Sequence, residues 1–286
     1  MLNVQGCILA GATRLSTGLH PDRARLDSEL LLMHVLERNR AWLMAHGGDD
    51  VSEDTCARLQ ELFERRYRGE PIQYVTGECE FYGLPFKVTE DVLIPRPETE
   101  HLVESALALL PLSRALRVID VGTGSGAIAI AIAHERPLIR VAAIDSSPAA
   151  LAVARANAAR HGLAGRIEFI EADLLSAVGT SSCEMIVSNP PYVATSERAS
   201  LSVEVREHEP AAALFSGATG YEVYEQLLPQ AMRTLKPQGW LLLEIGYGQQ
   251  AKLRDMLAEH GYTAIRFVED LQGIPRVAIG QKPSQP

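Results

Sequence analysis

The stretch Val118–Ile130, VIDVGTGSGAIAI, decides how this chain is read. An apolar, β-branched run stops at Val121. Three glycines follow within five residues, and then an unbroken Ala/Ile run begins. This is the pattern of a strand, a glycine-rich turn and a helix. Gly122, Gly124 and Gly126 lack a Cβ, so the backbone can turn tightly there and a ligand can come close to it. The helix that follows presents unpaired N–H groups to a carboxylate or phosphate. The spacing Gly122-x-Gly124-x-x-Ala127 also satisfies the dinucleotide fingerprint, so a nicotinamide dehydrogenase stands as one alternative at this point.

Outward from this turn the pattern alternates. A helix in ETEHLVESALALL precedes the strand. After it come helix AIAIAIAHE, strand RVAAIDS, helix SPAALAVARANAARHG and strands RIEFIEAD and CEMIVSN. A helix at about 220–235, strand GWLLLEIG, helix QQAKLRDMLAEHG and two closing strands complete the chain. The strands are apolar nearly throughout, as parallel strands buried on both faces are. Alternation of this kind predicts a doubly wound α/β fold with a mostly parallel sheet.

Residues 1–70 have a different character. In HPDRARLDSELLLMHVLERN, Leu26, Leu30, Leu31 and Val35 recur at helical spacing behind Pro21 and Asp22, which suit a helix start. A second helix in SEDTCARLQELFERRYRG has Ser52 as its cap, and Gly69 follows its end. A small helical domain is expected here. Residues 71–97, PIQYVTGECEFYGLPFKVTEDVLIPRP, mix aromatic and β-branched residues with polar ones around Gly83 and Pro85. They read as a β-hairpin linker, in which Pro95 and Pro97 hold Arg96 extended. The last five residues, KPSQP, are expected to fray.

With 286 residues, 47% of them hydrophobic, the chain can build one sizeable core and a smaller second unit. Charges interrupt every apolar run short of about 18 residues, so no membrane span is expected. The N-terminal apolar patch is short and lacks a basic lead, which argues against a signal peptide. Cys7, Cys56, Cys79 and Cys183 form no CxxC pair. Structural zinc is not expected, and a reducing cytoplasm is the simplest compartment. The net charge of −9 leans against a nucleic-acid substrate, because a phosphate-binding surface requires a basic excess at least locally.

Three acids follow the sheet edge. Asp145 ends the strand after the glycine turn, at the separation where an acid meets ribose hydroxyls; capping the helix that starts at Pro148 is its other reading. Asp173 closes the next strand; it reads either as an acceptor for an adenine amine, with Leu174 covering the ring, or as a plain strand-end acid. Asp120 lies inside the turn. A carboxylate there repels a pyrophosphate but suits a ligand with an amino group and a sulfonium, such as S-adenosylmethionine.

The stretch Met185–Ala194, MIVSNPPYVA, ends a core strand on an amide followed by two prolines and a tyrosine. Pro190 and Pro191 have fixed φ and no N–H, and Asn189 and Pro190 each precede a proline and are biased to extended geometry. The Pro190 carbonyl and the Asn189 side-chain carbonyl are therefore two fixed acceptors at the carboxyl end of a strand. They match a planar NH2 group, and Tyr192 offers a ring for stacking it. Methyl transfer to an amide or aryl amine is the chemistry this arrangement suits.

Asp120–Gly126, Asp145, Asp173 and Asn189–Tyr192, in this order, resemble a class I S-adenosylmethionine-dependent methyltransferase of the amino-group type. GEPIQYVTGECEFYGLPFKV followed by LIPRPETE, then VREHEPAAAL and DLQGIPRVAIG, is similar to the protein-(glutamine-N5) methyltransferases that modify peptide chain release factors. The match covers essentially the whole chain. The Asn-Pro-Pro-Tyr turn is shared with adenine and ribosomal methyltransferases, while the linker segments are more specific.

The resemblance implies an α/β, Rossmann-like class I methyltransferase domain at 98–286. A helical substrate-recognition domain at 1–70 and the hairpin linker at 71–97 precede it. It implies transfer from S-adenosylmethionine to the glutamine of a Gly-Gly-Gln loop, giving N5-methylglutamine and S-adenosylhomocysteine. The implied cofactor residues are Gly122, Thr123, Gly124, Ser125, Gly126, Asp145, Asp173, Leu174 and Asn189. The implied substrate residues are Asn189, Pro190, Pro191 and Tyr192, with Asn189 and Pro190 catalytic and no metal. Where some relatives carry an aromatic after Asp173, Leu174 would substitute aliphatic packing on adenine. Arg96 and Glu98 are read either as shaping a lid or as a charged pair on the linker. The expected protein is a cytoplasmic monomer whose partner is a release factor, with no direct nucleic-acid or membrane partner. An adenine-specific DNA or RNA methyltransferase, which requires a basic groove, and a non-catalytic binding module remain alternatives at this point.

Overall fold

A computed structural model describes residues 2–284, which form two compact units. The first comprises the chain up to Glu78 together with Ser202–His208. It contains helices α1 (Val4–Leu15), α2 (Ala24–Leu36), α3 (Arg40–Ala45), α4 (Glu53–Tyr67) and α5 (Ile72–Thr76). Ser52 caps α4 by accepting from the Thr55 N–H.

The apolar stripe read for α2 is rotated in the structure. Leu31, Leu32 and Val35 are buried, but Leu26 is exposed, and Asp27 and Ser28 face inward instead. The reason is a buried ion pair. Arg66 of α4 donates to Asp27 at 2.7 Å and to the Glu70 carbonyl at 3.0 Å, and it also pairs with Glu204. A buried charge is tolerated only when it is paired in this way. The boundary also moves: α5 buries Ile72 and Val75 in the helical core, so this unit extends to Glu78 rather than ending near residue 70.

The second unit begins with a hairpin, β1 (Glu78–Phe81) and β2 (Leu84–Lys87), so strand pairing occupies only the middle of the expected linker. Then follow α6 (Glu100–Leu109), β3 (Arg117–Val121), α7 (Ala127–Glu135), β4 (Arg140–Asp145), α8 (Pro148–Arg160), β5 (Ile167–Glu171) and β6 (Cys183–Ser188). After β6 come the short helices α9 (Val203–His208) and α10 (Ala211–Leu214), α9 belonging to the helical unit. The chain then forms α11 (Glu222–Thr234), β7 (Leu235–Glu244), α12 (Gln250–Glu259), β8 (Thr263–Glu269) and β9 (Pro275–Gln281). The seven-stranded sheet has the order β5-β4-β3-β6-β7-β9-β8, parallel except for the β9 and β8 ladders. Successive strand residues alternate between two cores. Val118, Met185 and Leu242 pack under α6 and α7, while Ile119, Ile186 and Leu243 pack under α11 and α12. Covering both faces is what the apolar strands require. The backbone pairing of the C-terminal segment runs past β9 to Lys282, and residues 285–286 of the tail expected to fray lie outside the described residues.

One buried amide joins the hairpin to the glycine turn. Asn157 of α8 accepts from the Lys87 N–H at 2.7 Å and donates to the carbonyls of Lys87 and Ser125 at 3.0 and 2.9 Å. Replacing Asn157 with Ala removes all three bonds and leaves main-chain groups unpaired, a loss of about 1–3 kcal/mol. Urea unfolding of Asn157→Ala should show that loss as a lower midpoint.

Candidate functional site

The strand order reverses between β3 and β6: from β3 the chain builds outward through β4 and β5, and from β6 outward through β7. Ligands of open α/β sheets bind beyond the carboxyl ends of the strands at this switch point. Val121 pairs in register with Ser188, and the Ser188 hydroxyl donates to the Val121 carbonyl at 2.7 Å. The glycine turn after β3 and the Asn-Pro-Pro-Tyr turn after β6 therefore leave the sheet side by side. A cavity of about 320 Å³ opens there. Its walls include Gly122–Ser125, Asp145, Asp173, Leu174, Asn189 and Pro191, and also Pro95, Arg96 and Pro210.

The three glycines have two distinct duties. All have positive φ (70°, 53° and 82°), which side chains resist. A Cβ on Gly122 or Gly124 would meet no protein atom within 4 Å, so it would project into open space at the cavity. On Gly126 it would lie 3.1 Å from the Ala154 Cβ, so this glycine lets α7 and α8 approach.

Asp120 differs from its sequence reading. It is fully buried and absent from the cavity wall. Its Oδ2 accepts from the Thr123 hydroxyl at 2.6 Å and from the Ala129 N–H at 3.2 Å, so it braces the turn from beneath rather than facing a cationic ligand. Burial pushes its pKa up to about 7. The Thr123 hydroxyl spends its proton on Asp120, so toward a ligand its side chain can only accept.

Asp145 is not the helix cap. Ser147 caps α8 by accepting from the Ala150 N–H, and Asp145 accepts from the N–H groups of Gly124 and Ser147, both at 2.9 Å. Its carboxylate is thus fixed at the cavity edge. Leu174 has a φ of 47°, the left-handed region, where a branched aliphatic residue is strained. It lines the cavity beside the exposed Asp173.

At the second turn, the Asn189 Nδ2 donates to the Thr99 hydroxyl at 3.1 Å. This leaves Oδ1 as its free acceptor. Among the described residues, neither Oδ1 nor the Pro190 carbonyl receives a protein donor. Pro190 is buried, and neither it nor Tyr192 lines the cavity. The Tyr192 phenol lies 3.5 Å from Glu244 Oε1, its carbonyl accepts from Gln249, and its ring packs against Gly246. Arg96 pairs with the buried Glu209 at 2.6 Å, tying the Pro-Arg-Pro segment to the segment before α10 across the cavity mouth. Glu98 is exposed and does not line the cavity.

Comparison with known proteins agrees with this geometry. A model described as "PrmC N-terminal domain" matches residues 8–77, and one described as "Methyltransferase small domain" matches 100–213. Release factor glutamine methyltransferase from Koribacter versatilis is 46% identical over 91% of this chain and 92% of its own length. The one from Nitratidesulfovibrio vulgaris is 39% identical over 98% and 95%. The chain belongs to the release factor glutamine methyltransferase family. Among solved structures, ribosomal protein L11 methylase from Lactobacillus delbrueckii subsp. bulgaricus is 25% identical, covering 68% of this chain and 84% of that one, with a TM-score of 0.50. A methyltransferase from Pyrococcus furiosus shares the fold at 17% identity and TM-score 0.51, covering 81% and 100%. Members of the release factor glutamine methyltransferase family are S-adenosylmethionine-dependent enzymes, and this chain is one. Open space above Gly122 and Gly124 and the fixed Asp145 carboxylate fit that cofactor.

Thr99, Glu209 and Glu244 were not identified as site residues from the sequence. The only local signal is a lone acid at the end of an apolar run, as in LLLEIG.

A Val at position 124 puts a branched side chain into the cradle on a left-handed backbone. Gly124→Val should weaken S-adenosylmethionine binding by more than about 10-fold, by calorimetric titration. The two buried acids give a pH signature. Burial raises both Asp120 and Glu244 to about 7. A raised acid binds its proton more tightly when folded, so its contribution is complete below the unfolded pKa and is lost as pH rises through about 7. Stability should therefore fall between about pH 4.5 and 7, and unfolding of Asp120→Asn should show a shallower fall.

Proposed function

We propose that this enzyme methylates the side-chain amide nitrogen of the glutamine in the Gly-Gly-Gln loop of peptide chain release factors, giving N5-methylglutamine and S-adenosylhomocysteine. The observation that carries this reading is the pair of unengaged acceptors, Asn189 Oδ1 and the Pro190 carbonyl, on a proline-locked turn beside the glycine turn. A glutamine amide presents two N–H donors in one plane, which is the complement of two fixed acceptors. The relatives are release factor glutamine methyltransferases, which supports the same substrate.

S-adenosylmethionine, when bound, supplies an electrophilic methyl group. The residues in this proposal act on the amide. Its nitrogen is a poor nucleophile because the lone pair is delocalised into the carbonyl. Holding both N–H bonds on Asn189 and Pro190 favours a pyramidal nitrogen with a localised lone pair, and fixed orientation removes much of the barrier. The same oxygens stabilise the positive charge that develops on nitrogen. An N-methylated amide cation is a strong acid and loses its proton without a dedicated base. Pro191 and Tyr192 flank the target. Gly122–Gly126, Asp145, Asp173, Leu174 and Asn189 hold the cofactor, Leu174 packing on adenine in place of an aromatic ring.

The helical unit recognises the body of the release factor, and the enzyme works as a cytoplasmic monomer. The net charge of −9 favours a protein over a nucleic-acid substrate, and the free cysteines fit a reducing compartment. Among the described residues no helix is long and apolar enough to cross a membrane.

Incubation with methyl-labelled S-adenosylmethionine and a release factor should label the loop glutamine, read by peptide mass spectrometry. Label on DNA or RNA and none on the factor would overturn the proposal. Asn189→Ala should abolish nearly all turnover while weakening cofactor binding only modestly, since it removes an acceptor for the reacting nitrogen.

A further inference from the structure

Among the described residues, four large apolar side chains of the second unit are exposed: Leu112, Leu138, Tyr247 and Leu271. Leu112 and Leu138 lie in the segments that lead into the amino ends of β3 and β4. Tyr247 and Leu271, 83% and 100% exposed, lie at the opposite edge, where the site is. Three turns stand in a row there. The Asn-Pro-Pro-Tyr turn follows β6. Beside it β7 ends with Leu243 level with Ser188, and the turn 246–249 that carries Tyr247 comes next. Beyond β7 lies β9, antiparallel, with Val277 level with Glu244, so Arg276 and the turn 270–274 that carries Leu271 extend past the same edge.

Each turn is bonded to its neighbour. The Gln249 side chain accepts from the Gly246 N–H at 2.9 Å and donates to the Tyr192 carbonyl at 3.1 Å. The Ile245 N–H donates to the Arg276 carbonyl at 2.9 Å. The outermost turn is itself pinned. The Asp270 carboxylate accepts from the N–H groups of Gln272 and Ile274 at 2.8 and 3.0 Å and from Arg276 Nε at 2.9 Å. The Asp270 N–H reaches the Ile274 carbonyl at 2.8 Å. A leucine on a slack loop can fold back onto the protein surface; on a turn held in this way it stays in water. A contact made by such a preorganised side chain costs little further ordering on binding.

We propose that Tyr247 and Leu271 form an apolar ledge that receives the release factor polypeptide adjoining the target glutamine. The inference rests on the reading that Asn189 and Pro190 hold that glutamine's amide. Neighbouring strands are about 4.8 Å apart, so β7 lies about 5 Å and β9 about 10 Å from the strand that leads into Asn189. An extended chain advances about 3.3 Å per residue, so one anchored by its glutamine and running across the strand ends reaches Tyr247 within about two residues and Leu271 within about four. The chemistry of the ledge suits apolar side chains of a polypeptide. Leucine neither stacks on a base nor pairs with a phosphate, and the nearby Arg276 guanidinium is already held by Asp270.

The test is initial-rate kinetics with a purified release factor as the varied substrate at saturating S-adenosylmethionine. Leu271→Ser and Tyr247→Ser should each raise KM for the factor about 10-fold, the effect of truncating one well-packed anchor. The ledge acts on binding and not on the reacting nitrogen, so kcat and cofactor affinity should stay within about twofold. The double variant should raise KM about 100-fold, since the two side chains meet different residues of the factor. Both side chains are exposed in the free enzyme, so the thermal midpoint should not move. Leu271→Met and Tyr247→Phe keep the apolar surface and should restore the wild-type KM. Leu112→Ser, which removes an exposed leucine from the opposite edge, should leave KM unchanged.

An unchanged KM in both serine variants, or a loss of kcat in place of a rise in KM, would overturn the inference. So would a wild-type dimer that a serine variant dissociates while KM stays the same, because the ledge would then belong to a second copy of this chain. The two levels of reading separate cleanly. If the wild-type enzyme places no label on the release factor, the reading of the substrate fails. If it labels the loop glutamine and the serine variants match it, only the ledge fails.

Discussion

The parallel pairing of β3 with β6 is the constraint on which the site depends. Two strands separated by more than sixty residues run side by side, Val121 level with Ser188, and the Ser188 hydroxyl closes the last rung on the Val121 carbonyl. Because the crossovers leave this pair in opposite directions, their two loops cannot cover one another and a crevice is left between them. The glycine turn becomes one wall and the Asn-Pro-Pro-Tyr turn the other. A one-residue slip in this register would turn every side chain of β6 to the other core, so burial on both faces holds the register.

The crevice is made reactive by what is withheld from it. Two prolines remove N–H donors at the point where carbonyl acceptors are needed, and the Asn189 amide spends its donor on Thr99. Acceptors left without protein partners are costly in a buried place and can be kept only by a rigid surround. Gln249 supplies that rigidity by clasping the Tyr192 carbonyl, and Gly220 and Gly246 let the turn sit against neighbouring backbone. Across the crevice, Asp120 braces the glycine turn from below, and Leu174 is held in a left-handed conformation at the rim. Leu174 at the rim and the buried Asp120 beneath the turn are the strained and desolvated groups beside this crevice.

Several features of this arrangement could be read from the residues alone, and the failures are instructive. The glycine turn and the Asn-Pro-Pro-Tyr turn announce themselves because their chemistry is local: φ preference, missing N–H groups, a side-chain amide. The α2 face escapes periodicity, which counts apolar residues and cannot see that Asp27 is drawn inward by Arg66, thirty-nine positions away. The place of Asp120 in the turn is legible in the residues, but the direction of its side chain, down onto Thr123 and Ala129, is not. The capping role weighed for Asp145 passed to Ser147 two residues later. Thr99, Glu209 and Glu244 went unnoticed, since each acquires a role only through a partner distant in sequence: Asn189, Arg96 and Tyr192.

The doubly wound α/β order, the separate helical segment, the two turns and the type of chemistry that two fixed acceptors can perform are all legible in the residues alone. These follow from backbone preferences and apolar periodicity, which act over a few residues. Long-range packing is what makes the two turns adjoin, brings Arg96 to Glu209 beside the cavity, and sets the buried Glu244 carboxylate against the Tyr192 phenol. Those depend on strand order and register, which arise from packing the whole sheet between its helices, and no local stretch of sequence contains that information.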